Sequence, residues 1–364
     1  MKRITHSGKF ESLRYVPHRA FVGLWVALSI VAGSAIVPLA AKANPYLAKP
    51  GEAAVSVRVA TCATTGGFIH LYTALESGLF DKYGIKPTHI FIRGSSISLA
   101  SLSSDEIQFL YCAADATLPG MATGIDAKLV GAPLVGLPYV LIVRKDIKKM
   151  EDLKGKSLGV TRPGDLSFRL SRVMLKKFNL TEEQVKLRSI GGSQGERYQA
   201  LVQDIIQGIV ITPPLDVRGK RDGFNVIYDL NEMDLPFIYS SIHTNSKTLK
   251  EKPAVVQRFV AAIAESIPFV EKNPDKAKAA LGKTLRISDQ EVLQSAYNAY
   301  AKQVINRRMV VPADAVTDAV EIAREGGASI KRKPADLFDN TFVENLDKSG
   351  FLKEIWGGAV PGKK

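Results

Sequence analysis

The stretch Arg58–Phe80 reads RVATCATTGGFIHLYTALESGLF. With Val57, its first residues form a short apolar strand that breaks at Thr64-Thr65-Gly66-Gly67. From Phe68 onward the apolar positions fall at helical spacing. A strand, a glycine turn and a helix make a cradle for an anion, because a helix N-terminus presents unpaired N–H groups and partial positive charge. Such a cradle suits a phosphate-handling enzyme, or one jaw of a protein that only holds its ligand. The lysine that would reach a terminal phosphate is missing here. Neither Gly-x-x-x-x-Gly-Lys-[Ser/Thr] nor Gly-x-Gly-x-x-Gly occurs in the chain. Holding is the expected role.

The same alternation continues outward. Strands are predicted at Val55–Thr61, Lys86–Ile92, Ile107–Tyr111 and Lys128–Ala132, with helices near Phe68–Ser77, Ile97–Leu102 and Thr117–Ala122. A second series has strands at Ser157–Val160, Val185–Ile190, Gly208–Ile211 and Phe224–Tyr228, and helices at Ser167–Phe178 and Glu196–Ile206. Strands alternating with helices imply an α/β fold with mostly parallel sheets covered on both faces. GLPYVLIVRKDI (136–147) lies between the series and LPFIYSSIHTN (235–245) follows the second. These two Leu-Pro-aromatic segments read as paired crossings between lobes. From Pro253 the pattern is helical only, with Val256, Phe259, Val260, Ile263, Ile267 and Val270 on one face.

The plan is therefore lobe one over 55–138, lobe two over 139–236, and a return crossing with lobe-one helices over 237–356. A loose Gly/Pro/Lys tail closes it at 357–364. Ligands of open α/β sheets bind outside the carboxyl ends of the strands, so facing lobes put the site in the cleft between them.

Residues 1–43 are read separately. Lys2, Arg3, Lys9, Arg14 and Arg19 precede the apolar run AFVGLWVALSIVAGSAIVPLA, which ends at Ala41-Lys42-Ala43. This is the form of a secretory signal peptide cut after Ala43, and an uncleaved anchor is the alternative. Setting it aside removes six basic residues and one acidic residue from the totals of 49 and 36, leaving +8. That excess is spread along the chain, without the aromatic-interleaved basic runs of nucleic-acid binders. No nucleic-acid partner is expected, and the mature protein is expected to be a soluble, exported monomer.

Three motifs carry a resemblance. ALESGLFDKYGI (Ala74–Ile85), DLKGKSLGV (Asp152–Val160) and TPPLD (Thr212–Asp216) resemble the solute-binding proteins of ABC importers, of the nitrate/sulfonate/taurine type. That group shares its fold with thiamine-pyrimidine synthesis proteins, and the likeness runs from about Val55 to Phe351. It implies a type II periplasmic-binding-protein fold with hinge closure on the ligand. It also implies a periplasmic location, and an ABC permease and ATPase at the inner membrane as partners. QDIIQGIVI (Gln203–Ile211) and SSDEIQFLYCAADA (Ser103–Ala116) depart from the family's usual Gly-x-Val/Ile-Asp entry. The resemblance further implies that the first and third strands adjoin, bringing Cys62 beside Cys112. A disulfide and two buried thiols both stay open.

Candidate ligand donors cluster at strand-to-helix turns. Lobe one offers Thr64, Thr65, Gly66, Gly67 and Phe68, then Gly94, Ser95 and Ser96, then Asp115 with Thr117. Lobe two offers Arg162, Gly164, Ser167 and Phe168, then Ser193 and Gln194, then Thr212. The competing role for each Ser or Thr is an ordinary helix cap. The glycine pair suggests close backbone approach, and the Thr64–Phe68 amides are expected to face the ligand. Arg162 and Arg93 would clamp a sulfonate or carboxylate through paired hydrogen bonds. Phe68, Tyr111, Tyr139 and Phe168 would wall an apolar part of the ligand.

Gly191–Gly195 also matches the Gly-x-Ser-x-Gly nucleophile elbow, with Ser193 as nucleophile. Its preceding strand alternates apolar and charged residues, whereas a hydrolase elbow follows a fully buried strand. His70, His89 and His243 lie far apart in sequence, and two cysteines are too few for a cluster. No catalytic residue, metal or cofactor is expected. Organic sulfonates are the favoured ligands, and an enzyme on the same scaffold, using Ser193 or making a pyrimidine precursor, is the runner-up.

Overall fold

The computed structural model describes residues 44–362, except 162, 164, 165, 192 and 234. The signal-peptide expectation and the candidates Arg162 and Gly164 lie outside the described residues.

Ten strands form two sheets. They are β1 Val55–Thr61, β2 Ile85–Phe91, β3 Phe109–Cys112, β4 Lys128–Val135, β5 Val140–Val143, β6 Ser157–Val160, β7 Lys186–Ser189, β8 Gly208–Ile211, β9 Asn225–Asp229 and β10 Ile238–Thr244. The first sheet has the order β2-β1-β3-β10-β4 and the second β7-β6-β8-β5-β9. Central strands β3, β6, β8 and β10 are buried at every residue, whereas β7 on its edge is largely exposed. Central strands covered on both faces need continuous apolar side chains, while an edge strand tolerates charge.

The sheets are mixed, which corrects the expectation of mostly parallel ones. β1 runs parallel to β2 and β3, and β6 runs parallel to β7 and β8. β10 is antiparallel to β3 and β4, and β5 is antiparallel to β8 and β9. Each crossing thus inserts its strand into the sheet it enters, against the local direction. The two crossings touch where Gly136 N donates to Phe237 O at 2.8 Å. Tyr139 packs edge-on against Phe237 and Tyr239, with ring centroids 6.5 and 6.0 Å apart.

The helices that position the site are α1 Ile69–Glu76, α2 Ser95–Ser103, α3 Ala114–Ala122, α4 Leu166–Lys177, α5 Gln194–Val202 and α6 Leu215–Arg221. After β10 come α7 Ser246–Glu251, α8 Pro253–Lys272, α9 Pro274–Leu285, α10 Gln290–Asn298 and α11 Ala313–Glu325. A π-helical turn at Ala299–Gln303 extends α10. Helix α8, whose apolar face the sequence marked, is long and apolar enough to cross a membrane by length and composition. Its apolar face, including Val256, Phe259 and Ile263, is fully buried, and Phe259 stacks on Phe109 at 3.9 Å. It serves as the central core helix of the first lobe.

Candidate functional site

The carboxyl ends of β1 and β8 open on one cavity of about 620 Å3. Lobe one contributes Thr64, Thr65, Gly66, Phe68 and Ser95, lobe two contributes Ser193, Gln194 and Thr212, and Tyr139 and Tyr239 come from the crossings. A second hollow of about 600 Å3 adjoins it through Ala116, Tyr139 and Gln194, adding Asp115, Ser167, Arg169 and Arg197. Eleven of the sequence candidates, Tyr139 included, therefore converge on one continuous cleft.

The opening turn works differently from its sequence reading. Thr65 caps a 3-10 turn at Gly66–Phe68: its Oγ1 accepts from Gly67 N at 3.2 Å, and its carbonyl accepts from Phe68 N at 3.4 Å. Those two amides are occupied locally rather than offered to a ligand. The glycines serve close packing of tyrosines. A Cβ on Gly66 would lie 2.7 Å from Tyr300 Cε2, and one on Gly67 2.2 Å from Tyr239 Cε1.

A chain of hydroxyls leaves this turn and crosses the cleft. Thr65 Oγ1 stands 3.3 Å from Tyr239 Oη, which stands 3.3 Å from Tyr300 Oη. Tyr300 Oη donates to Pro213 O at 2.7 Å, next to the cis Pro213-Pro214 bond of lobe two. Tyr239 and Tyr300 were missed in the sequence. Tyr239 lies two residues past the Leu-Pro-Phe signature of the return crossing, whereas nothing local marks Tyr300.

In lobe two, Ser193 is the N-cap of α5. Its Oγ accepts from Glu196 N at 3.3 Å, and its own N–H donates to the Glu196 carboxylate. A hydroxyl engaged in a capping box, with no histidine lining the cavity, is no nucleophile elbow. Gln194 Oε1 accepts from Thr212 N at 2.8 Å, fixing two loop ends to each other. Ser167 Oγ accepts from Thr161 N at 2.9 Å, so it orders the turn after β6 from the cleft wall. Arg197, only 5% exposed, reaches Thr161 Oγ1 at 3.3 Å.

Charge in the cleft is divided between the lobes. Burial pushes the Asp115 carboxyl up to about 6, with Arg169 pulling the other way. The Nε of Arg169 is buried and has no hydrogen-bond partner among the described residues. Burial also raises the phenols of Tyr139, Tyr239 and Tyr300, so all three stay neutral donors.

Several candidates lie elsewhere. Gly94, at φ +100° with open space around it, caps α2, and Ser96 and Arg93 are exposed away from the cleft walls. Phe168 is half-buried and lines a separate hollow with Arg172 and Glu325, the Arg172 guanidinium 5.7 Å from its ring. Tyr111 is core, edge-on to Phe68 at 5.4 Å. Thr117 is buried and bonds His243 Nε2 at 2.8 Å instead of facing a ligand. His89 meets Thr61 Oγ1 at 3.0 Å, and no metal-holding group occurs among the described residues. Cys62 and Cys112 are joined by a disulfide: β1 pairs Thr61 with Tyr111, so the next residues face each other at 5.5 Å between Cα atoms.

Two mixed α/β sheets, each lent one antiparallel strand by a crossing and facing across a cleft that carries polar groups from both lobes, define a bilobal binding-protein fold. The chain belongs to the NMT1/THI5-like family, whose model matches residues 66–277. It is 28% identical over 250 residues to a Brucella abortus (strain 2308) protein named "Putative binding protein", covering 67% of this chain and 76% of that one. The periplasmic aliphatic sulphonate binding protein SsuA of Escherichia coli shares its fold at TM-score 0.62 and 18% identity, over 74% of this chain and 86% of that one. The alkanesulfonate-binding protein SsuA of Xanthomonas axonopodis pv. citri, solved with MOPS bound, matches at TM-score 0.61 and 14% identity, over 80% and 100%.

Proposed function

We propose that the chain is the exported substrate-binding component of an ABC importer and captures a small anionic or polar solute, with organic sulfonates favoured. The observation that carries this reading is one cleft lined by neutral donors from both lobes, with the Arg169 guanidinium on one wall. An oxyanion held by hydroxyls, amides and a guanidinium needs no metal. Because the donors belong to different lobes, a ligand touching both stabilises the closed state. An ABC permease and ATPase are the partners that would receive the solute, and the periplasm is the compartment where they would meet.

The test is a thermal-shift screen of protein lacking residues 1–43 against sulfonates, carboxylates, nitrate and pyrimidines. Binding of one class raises the melting temperature by mass action. A flat response to all four, on protein refolded to remove carried-over ligand, overturns the reading.

A further inference from the structure

The cleft continues past Arg169 into a third hollow of about 210 Å3, between α4 of lobe two and α11 of lobe one. It shares Asp115, Leu166, Arg169, Ala319 and Ile322 with the adjoining part of the cleft, so the two are one connected space. Apart from Asp318, its remaining walls are apolar, among them Leu137, Leu170, Val173, Leu235, Phe237 and Ile238.

Val173, Leu235 and Ile322 are 43%, 38% and 38% exposed. A single exposed aliphatic side chain is ordinary, but three converging on one hollow that opens into a ligand cleft mark a surface that is covered in use. Among the described residues no hydrogen bond or ion pair joins α4 to α11, so this flank is not closed by the protein's own polar contacts.

Arg169 stands at the junction with a buried Nε that has no hydrogen-bond partner among the described residues. A buried donor without an acceptor is costly, and a ligand acceptor at that point removes the cost. The carboxylates Asp115 and Asp318 lie on the lobe-one side of the hollow, and the guanidinium lies on the lobe-two side. An acid group therefore orients toward lobe two.

We infer that the solute is an amphipathic anion, with its acid group held at Arg169 and an apolar body of several carbons filling the α4–α11 hollow. This rests on the solute-binding reading above and narrows its ligand class. Small inorganic anions would leave the hollow empty and the aliphatic side chains in water.

Calorimetric titration of the chain without residues 1–43 against methane-, butane-, hexane- and octanesulfonate tests it, with hexylammonium as the head-group control. Affinity should rise roughly four-fold per methylene until the hollow is full, and hexylammonium should not bind. V173E and L235E put a carboxylate among the apolar walls and should abolish the gain of hexanesulfonate over methanesulfonate, read as the ratio of the two affinities within each variant. R169Q should weaken every sulfonate. Affinity independent of chain length, a gain that survives both glutamate variants, or equal binding of hexylammonium overturns this inference and leaves the solute-binding reading standing. Absence of binding by every sulfonate, together with a flat screen of the other classes, overturns both.

Discussion

The Tyr300 hydroxyl donates to the carbonyl of Pro213 at 2.7 Å, tying the lobe-one helices to the turn that follows β8 in lobe two. Nearby, Ser295 donates to Asp216 at 3.2 Å, and the Arg221 guanidinium grips both Asp289 and Glu291. The α6–α10 flank of the cleft is thus tied by polar contacts, while among the described residues no hydrogen bond or ion pair joins α4 to α11. The two crossings line the α4–α11 hollow, so opening should swing about that side and part α6 from α10, breaking these polar ties. Y300F should cost about 1–2 kcal/mol, since it strands a buried carbonyl. R221A should widen the ligand-free particle in small-angle scattering, and the wild-type dimensions should shift toward that value in high salt, which screens exposed ion pairs. Unchanged scattering curves for R221A would refute the tie.

Gly67 is required by Tyr239. A methyl group there would sit 2.2 Å from the Tyr239 ring, which is itself stacked on Tyr300 at 5.4 Å between centroids. G67A should lose about 1–3 kcal/mol in denaturant unfolding through overpacking. The double change G67A/Y239L should recover part of that loss, because the ring that blocks the methyl is gone.

The Cys62–Cys112 bridge closes a loop of 50 residues at the rim of the cleft. Loop-closure entropy predicts that removing it lowers stability by about 2–4 kcal/mol. C62S/C112S, compared with the oxidised protein by chemical denaturation, measures this. Equal midpoints would show that the bridge adds nothing.

Two buried histidines set the acid limit. Burial lowers His243 to about 4 and His70 to about 3. His243 Nδ1 faces the Leu110 carbonyl at 3.1 Å and so carries the proton, leaving Nε2 to accept from Thr117. Below about pH 6.5 the unfolded chain takes up protons that these folded-state imidazoles refuse. Stability is therefore full above that pH and falls as pH drops toward 4, by roughly 1.4 kcal/mol per unit for each histidine. H243Q should roughly halve the histidine-linked slope of stability between pH 6 and 4, leaving the part carried by His70.

Asp115 should give ligand binding its own pH dependence. Its carboxyl, at about 6, faces Arg169, Tyr139 and Asp318 around the cleft. Below that pH it is neutral and repels an anion less, so sulfonate affinity should rise from pH 7 to pH 5. D115N should bind with one affinity across the range; a retained slope would assign the effect to another group.

Much of this protein could be read from its sequence because its periodicities are local. The strand at Ser157–Val160 and that at Gly208–Ile211 match the predicted limits residue for residue, since each is a short apolar run between turn signals. Helices α6 and α7 went unread, the second because SKTLKE shows no apolar stripe. The direction of β5 and β10 was not legible either. A strand's side-chain pattern is the same in parallel and antiparallel neighbours, so only the pairing partners decide it.

The candidate site divides the same way. Thr65, Ser193 and Thr212 could be placed near the cleft because turns at strand ends carry Gly, Ser and Thr for reasons of backbone geometry. Whether each faces ligand or caps its own helix depends on hydrogen bonds a few ångströms long, which sequence spacing does not specify. Gly66 and Gly67 show the difference. Their lack of a side chain was visible in TTGG, but the tyrosines that need the room come from Tyr239 and Tyr300, more than 170 residues away. By itself the sequence determined two alternating α/β series and the strand-to-helix turns that could bear a site. The tertiary structure alone decided which turns face each other, which glycines admit a ring, and that Arg169 stands at the mouth of an apolar hollow, because those relations join residues that only folding brings into contact.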